Sequence, residues 1–177
     1  MSGNATLDQL LADNHAAVDA FITTAEGVPR RQWTQPLAEE KWSPAQHVHH
    51  VALAYEAMAR DVSGGERAKL IGTPFKRRLW RLGGLTQILW RRKLPSGATS
   101  PREMRPPETS PVPAALFAQL RHAVESFDSA LRTAWVGCPN HKVQHPYFGD
   151  ISLRQALVLI AVHTRHHRAA IAGARRS

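Results

Sequence analysis

Six of the chain's ten histidines fall in two short stretches: His47, His49 and His50 in "HVHH", and His163, His166 and His167 in "HTRHH". Neutral imidazole is a ligand for divalent transition metals and a general acid or base near neutral pH. His163 and His167 are four residues apart and His163 and His166 three apart. On a helix, either pair shares a face and can converge on one ion. Such a pair taken alone reads equally well as one satisfied core histidine beside a surface one. A catalytic zinc-type site takes three protein donors and keeps one position open. "HVHH" is the obvious source of a third donor.

The histidines need elements to hold them. Thr6 with Gln9 reads as a capping box, and Leu7, Leu10, Leu11, Val18, Phe21, Ile22 and Ala25 then recur at helical spacing until Gly27 and Pro29. Ser43 and Pro44 open a second helix with the stripe Val48, Val51, Tyr55, Met58 and Val62, ended by Gly64 and Gly65. Residues 66–110 are irregular: two short amphipathic pieces split by Gly83 and Gly84, then a Pro-rich connection. A third long helix runs from about Ala114 to Trp135, and "HKVQHPYFGD" reads as a loop. Ser152 and Gln155 cap the last helix, whose stripe is Leu153, Ala156, Ile160, His163, His167 and Ile171. No stretch alternates at period two. The chain reads as all-α, one four-helix bundle over 1–177 with a basic, irregular insertion at about 66–110.

This places His163 and His167 where core residues belong, and a buried imidazole needs a partner or an ion. On the second helix, phase slightly prefers His47, which lies nearest the valine stripe, while His50 lies off its edge. The flank of Leu53, Ala54 and Ala57 could equally face a neighbouring helix, so both histidines stay open. His166 is an alternative to His163. His15 and His122 read as ordinary helix-face residues. His145 and Tyr147 read as loop side chains packing on the bundle, or else lining a pocket by the ion. Asp61 and Asp150 are nominal candidates for a general base, placed by no motif.

Bulk properties narrow the class. The single cysteine, Cys138, excludes an internal disulfide, fits a reducing compartment, and reads as a small buried hydrophobe with no catalytic role. The N-terminus is polar and acidic where a secretory leader is basic and then apolar. The longest clean apolar run, "ALVLIAV" at 156–162, is far short of the roughly 20 residues that span a bilayer. A cytoplasmic protein without a transmembrane segment is expected. Between residues 66 and 93 stand nine lysines and arginines against one acid, Glu66, which is nearly all of the chain's net charge of +9. This segment reads first as an insertion packing its Trp and Leu side chains on the bundle while its arginines stay wet. A membrane-surface helix, a pocket for an anionic thiol and a nucleic-acid patch are alternatives, and a nucleic acid is not the expected partner.

"WSPAQHVHHVA" and "HPYFGDISLRQALVLIAVHTRHHRAAI" together resemble the DinB-like superfamily of bacterial four-helix proteins. That superfamily includes thiol S-transferases for bacillithiol and mycothiol, and proteins described as metal-dependent hydrolases. Its pattern has a tryptophan and, eight residues on, a histidine, here Trp42 and His50. It also has a late H-x-x-x-H followed four residues later by isoleucine, here His163, His167 and Ile171. One position departs: Ala170 stands where family members often carry Gln or His. The resemblance implies a metal triad of His50, His163 and His167, holding Zn, Ni or Fe. It implies a long crossover between the second and third helices that sets the second and fourth side by side. It also implies a small-molecule substrate, foremost a low-molecular-weight thiol, and a homodimer. The leading expectation is therefore a metal-dependent enzyme that activates a thiol or a water. A non-enzymatic module binding a small ligand, a metal or nucleic acid is the competing class.

Overall fold

The computed structural model describes residues 6–95, 100–107 and 112–174. Parts of the polar N-terminus (1–5) and of the Pro-rich connection (96–99 and 108–111) read above lie outside the described residues. Four long helices form a bundle: α1 (Leu7–Glu26), α2 (Pro44–Val62), α5 (Pro113–Gly137) and α6 (Leu153–Ala174). Between α2 and α5 lie two short helices, α3 (Pro74–Trp80) and α4 (Thr86–Arg91). Before α6 comes a hairpin of β1 (Lys142–His145) and β2 (Gly149–Ser152).

The local signals set the helix starts. Thr6 and Gln9 close a capping box on α1, Ser43 and Gln46 close one on α2, and Ser152 and Gln155 exchange the same two bonds at α6. Pro44 and Pro113 occupy first-turn positions, where their missing N–H costs nothing. α2 packs along α5, α1 along α6, and α2 also meets α6, so the circuit of the bundle is α1, α6, α2, α5. Consecutive helices α1 and α2 are thus diagonal. The crossover between α2 and α5 is what puts the second and fourth long helices side by side, as expected. α6 is flanked by α1, α2 and α4, and Ala156–Val162 is buried on every side. That explains why this stretch is apolar all round and not striped.

Three local expectations change. Gly83 and Gly84 do not split the basic segment: Arg81–Leu85 form a π turn that joins α3 to α4 in one continuous strap. Arg92, with φ of 52°, ends it in the left-handed region. The segment read as a loop at 141–150 contains an antiparallel hairpin that pairs Val143 with Ile151 and His145 with Gly149. Only one buried side chain per strand, Val143 and Ile151, marks it, too few to show a period of two. Cys138 is exposed, because it caps the end of α5 instead of entering the core.

The strap and hairpin brace each other. Arg81 donates to the Asp150 carbonyl, Ile71 N–H to the Pro146 carbonyl, and Trp80 meets Tyr147 edge-on. Gly72 has φ of 76°, and a Cβ there would press on the Trp80 ring at 3.3 Å, so only glycine serves. Asp61, buried at the end of α2, accepts the Gln144 N–H and faces Arg67, which anchors the hairpin to the bundle.

One buried polar knot ties three helices. Tyr55 on α2 donates to Asn14 Oδ1 on α1 at 2.6 Å and lies 3.3 Å from Thr164 Oγ1 on α6. All three side chains are fully buried. Replacing Tyr55 by Phe leaves Asn14 without its donor in an apolar setting. The expected loss is about 1–3 kcal/mol in denaturant unfolding; an unchanged midpoint would show that the knot is not a structural tie.

Candidate metal centre

The first two turns of α2 and the later turns of α6 bring four imidazoles together. His163 Nε2 lies 3.0 Å from His50 Nε2 and 3.0 Å from His167 Nε2. His50, His163 and His167 each offer one ligand atom, and these atoms all lie within 4.8 Å of one another. His50 and His167 are buried and His163 is half-buried. His47, also buried, stands behind them, with its Nδ1 2.7 Å from His167 Nδ1.

The hydrogen bonds fix what these rings can do. His50 Nδ1 is 2.7 Å from the Met104 carbonyl, which can only accept. The proton of neutral His50 is therefore on Nδ1, and Nε2 presents a lone pair to the cluster. In the cluster, ring protons alone can serve both 3.0 Å contacts only if one N–H is shared between them. A cation draws all three lone pairs at once. The donor set suits a divalent transition ion: three neutral nitrogens, with no thiolate and no carboxylate among them. With an ion held there, His167 would donate its Nδ1 proton to His47, which would orient it from behind. His163 Nδ1 is buried with no hydrogen-bond partner among the described residues.

Trp42 completes one wall. It precedes the Ser43 cap and packs on His47 in the fourth helical position, the arrangement of a hydrophobic staple. Its ring lies 4.7 Å from His50 by centroid and stacks on His167 at 6.1 Å and 14°. The same contact that fixes the entry to α2 thus excludes water from two of the three rings.

Burial sets the charge state. It holds His163 and His167 well below the ordinary imidazole value of 6.5, and the neighbouring histidines, His50 and His47 among them, lower both further. Burial also lowers His50, against a smaller opposing effect of the Met104 hydrogen bond, and pushes His47 down to about 4. His145, at the end of β1, is brought to about 4 by burial and is close enough to depress His163 as well. At neutral pH the cluster is uncharged and its nitrogens are free to coordinate.

The structure therefore brings His50, His163 and His167 together. His47, which helical phase alone preferred, is buried but contacts the cluster from behind. His166 lies to the side, edge-on to His167 at 5.4 Å, and His49 is not among the converging rings. His15 pairs with Asp128 across α1 and α5, and His122 is exposed. Asp61 is eleven residues beyond His50, about 16 Å along α2, and is committed to the hairpin. Asp150 is exposed and paired with Arg67. Neither is placed to act as a base at the cluster. His145 is the remaining imidazole nearby: its Nδ1 accepts the Tyr147 N–H at 3.2 Å and its ring stacks on Phe148 at 4.5 Å. The Met104 carbonyl had no signal in the sequence, because a backbone acceptor in a Pro-rich connection looks like any other residue. Trp42 did have one, its place just before the cap.

A family model described as the DinB superfamily matches residues 13–171. No curated protein matches the chain significantly. Among solved structures, YfiT from Bacillus subtilis is similar with a TM-score of 0.61 and 20% identity, over 99% of this chain and 91% of that one. That structure is described as a probable metal-dependent hydrolase with an unusual four-helix bundle topology. At this identity the likeness speaks for the fold alone.

Depressed histidines link stability to pH. Below about 6.5 the unfolded chain takes up protons that His47 and His145 refuse until about 4, and burial likewise keeps protons off His50, His163 and His167. The metal-free protein is accordingly expected to lose stability as pH falls from 6.5 towards 4, and to gain none from further rise above 7. Urea midpoints across that range check this. A flat profile would mean that the imidazoles are not held neutral.

Proposed function

The chain belongs to the DinB superfamily, and from that premise we propose that it is a metal-dependent enzyme whose ion is held by His50, His163 and His167. The single observation that carries this reading is the convergence of three neutral imidazole nitrogens, two contacts at 3.0 Å, with the His50 tautomer set by Met104. A divalent Zn, Ni or Fe ion bound there supplies Lewis acidity, which lowers the pKa of a thiol or water at an open position. The chain's own residues do the rest. Met104 and His47 orient two of the ligands, and Trp42 shields them from bulk water.

The reaction that fits best is transfer of a low-molecular-weight thiol to an electrophilic carbon. The new sulfur–carbon bond forms as the bond from that carbon to its leaving group breaks; the leaving group departs with the electron pair, and the thiol proton passes to solvent. Three neutral ligands leave the site its full positive charge, which favours an anionic sulfur over neutral competitors. Hydrolysis is the second reading, favoured by the description of YfiT. Both readings call for a small-molecule substrate.

Metal analysis of the purified protein is expected to find about one divalent ion per chain. A His50→Ala/His163→Ala variant is expected to lose it while keeping helical content, and full retention would sink the triad. With metal present, the protein is expected to consume a small thiol together with an electrophile such as a bimane, and chelation should stop this. Ester cleavage without thiol consumption moves the assignment to hydrolysis.

A further inference from the structure

The strap formed by α3, the π turn and α4 has two apolar faces, and only one is covered. Leu85 and Ile88 are buried, with α4 lying against α6, and Trp80 leans on Gly72 and Tyr147. Phe75, Leu79 and Leu82 follow the i, i+4, i+7 spacing of one helical face, and they are 76%, 60% and 64% exposed. Trp90 is 79% exposed. It comes two residues after buried Ile88, which puts it on the opposite side of α4 from the bundle. Large side chains left in water in succession along one element mark an interaction surface; scattered singly they would need no explanation.

The charges beside this face have one sign. Lys76, Arg78, Arg91, Arg92 and Lys93 are exposed around it. Other cations of the segment are engaged within the protein: Arg67 with Asp150, Arg77 with the Gly72 carbonyl and Arg81 with the Asp150 carbonyl. The only acid between residues 66 and 93 is Glu66. The sequence expectation that the Trp and Leu side chains would all pack on the bundle is thus met by one face and not by the other.

We propose that the outward face of this strap, Phe75, Leu79, Leu82 and Trp90 with Lys76, Arg78 and Arg91 beside them, docks on an anionic lipid bilayer. The apolar side chains enter the boundary between headgroups and acyl chains, and the basic ones stay at the phosphates. A second copy of the chain fits less well, since a two-fold contact would bring two basic rims together. A nucleic acid would match the charge but leave Leu79 and Leu82 without partners, because its binders use stacking and polar groups. No helix among the described residues is long and apolar enough to cross a membrane, so the contact is peripheral. The face shares no side chain with the histidine cluster, so this proposal and the metal reading can fail separately.

The test is sedimentation of the full chain with vesicles of phosphatidylcholine alone and of phosphatidylcholine mixed with phosphatidylglycerol. The protein is expected to pellet with the mixed vesicles and not the neutral ones, with a blue shift of tryptophan emission, and to be released by salt. A Leu79→Ser/Leu82→Ser variant changes only exposed positions and is expected to weaken partitioning by about tenfold or more. An Arg78→Gln/Arg91→Gln variant is expected to lose the preference for the anionic lipid. The proposal is overturned if the wild type stays in the supernatant, or if the leucine variant pellets as well as the wild type. It is equally overturned if the face instead drives self-association or DNA binding while the vesicles stay bare.

Discussion

The structure turns on a cost: four imidazoles, three buried and one half-buried, converge where two apolar helices meet, and their lone pairs must be directed somewhere. Burial keeps the rings neutral, and neutral rings placed nitrogen to nitrogen need either a shared proton or a shared cation. Everything around them serves that arrangement. The Met104 carbonyl takes the His50 proton, His47 backs His167, and Trp42 closes one side. The bundle order matters for the same reason. Only because the connection between α2 and α5 crosses the bundle do the start of α2 and the late turns of α6 lie side by side.

The site is stiff where it is built on helices and braced elsewhere by borrowed parts. His50 and His47 sit in the first two turns after a capping box, so their backbone is set by Ser43 and Gln46. His163 and His167 sit one turn apart on a helix that is buried on every side over Ala156–Val162, just before them. A turn deeper, the Tyr55–Asn14–Thr164 knot fixes α1, α2 and α6 relative to one another, with Thr164 next to His163 in the chain. The hairpin and strap then press on α6 from outside, and His145 comes with them. The geometry of the three imidazoles is thereby tied to contacts that reach well beyond them.

Much of this was legible in the sequence. Capping boxes and apolar stripes located the long helices, and the stripe on α6 placed His163 and His167 towards the interior. Phase could not decide between His47 and His50, because it assumes one stripe facing one neighbour. α2 has two neighbours, α5 and α6, so its buried surface is wide enough to take in both. Only the spacing of Trp42 to His50, seen as a family pattern, separated them. Other features were hidden for physical reasons. Gly83 and Gly84 are helix breakers by propensity, yet a π turn accommodates them once α4 packs on α6. The hairpin has one inward side chain on each strand, and Met104 acts through its backbone.

In the proposed site three imidazoles, and no other side chains, hold one ion between α2 and α6. X-ray absorption at the edge of the metal bound by the purified protein tests it most directly, because multiple scattering from imidazole rings can be counted. The expected shell has three imidazole nitrogens and no sulfur, reduced to two in a His50→Ala variant that still binds. A shell containing the Cys138 sulfur, or one unchanged by loss of His50, would contradict it.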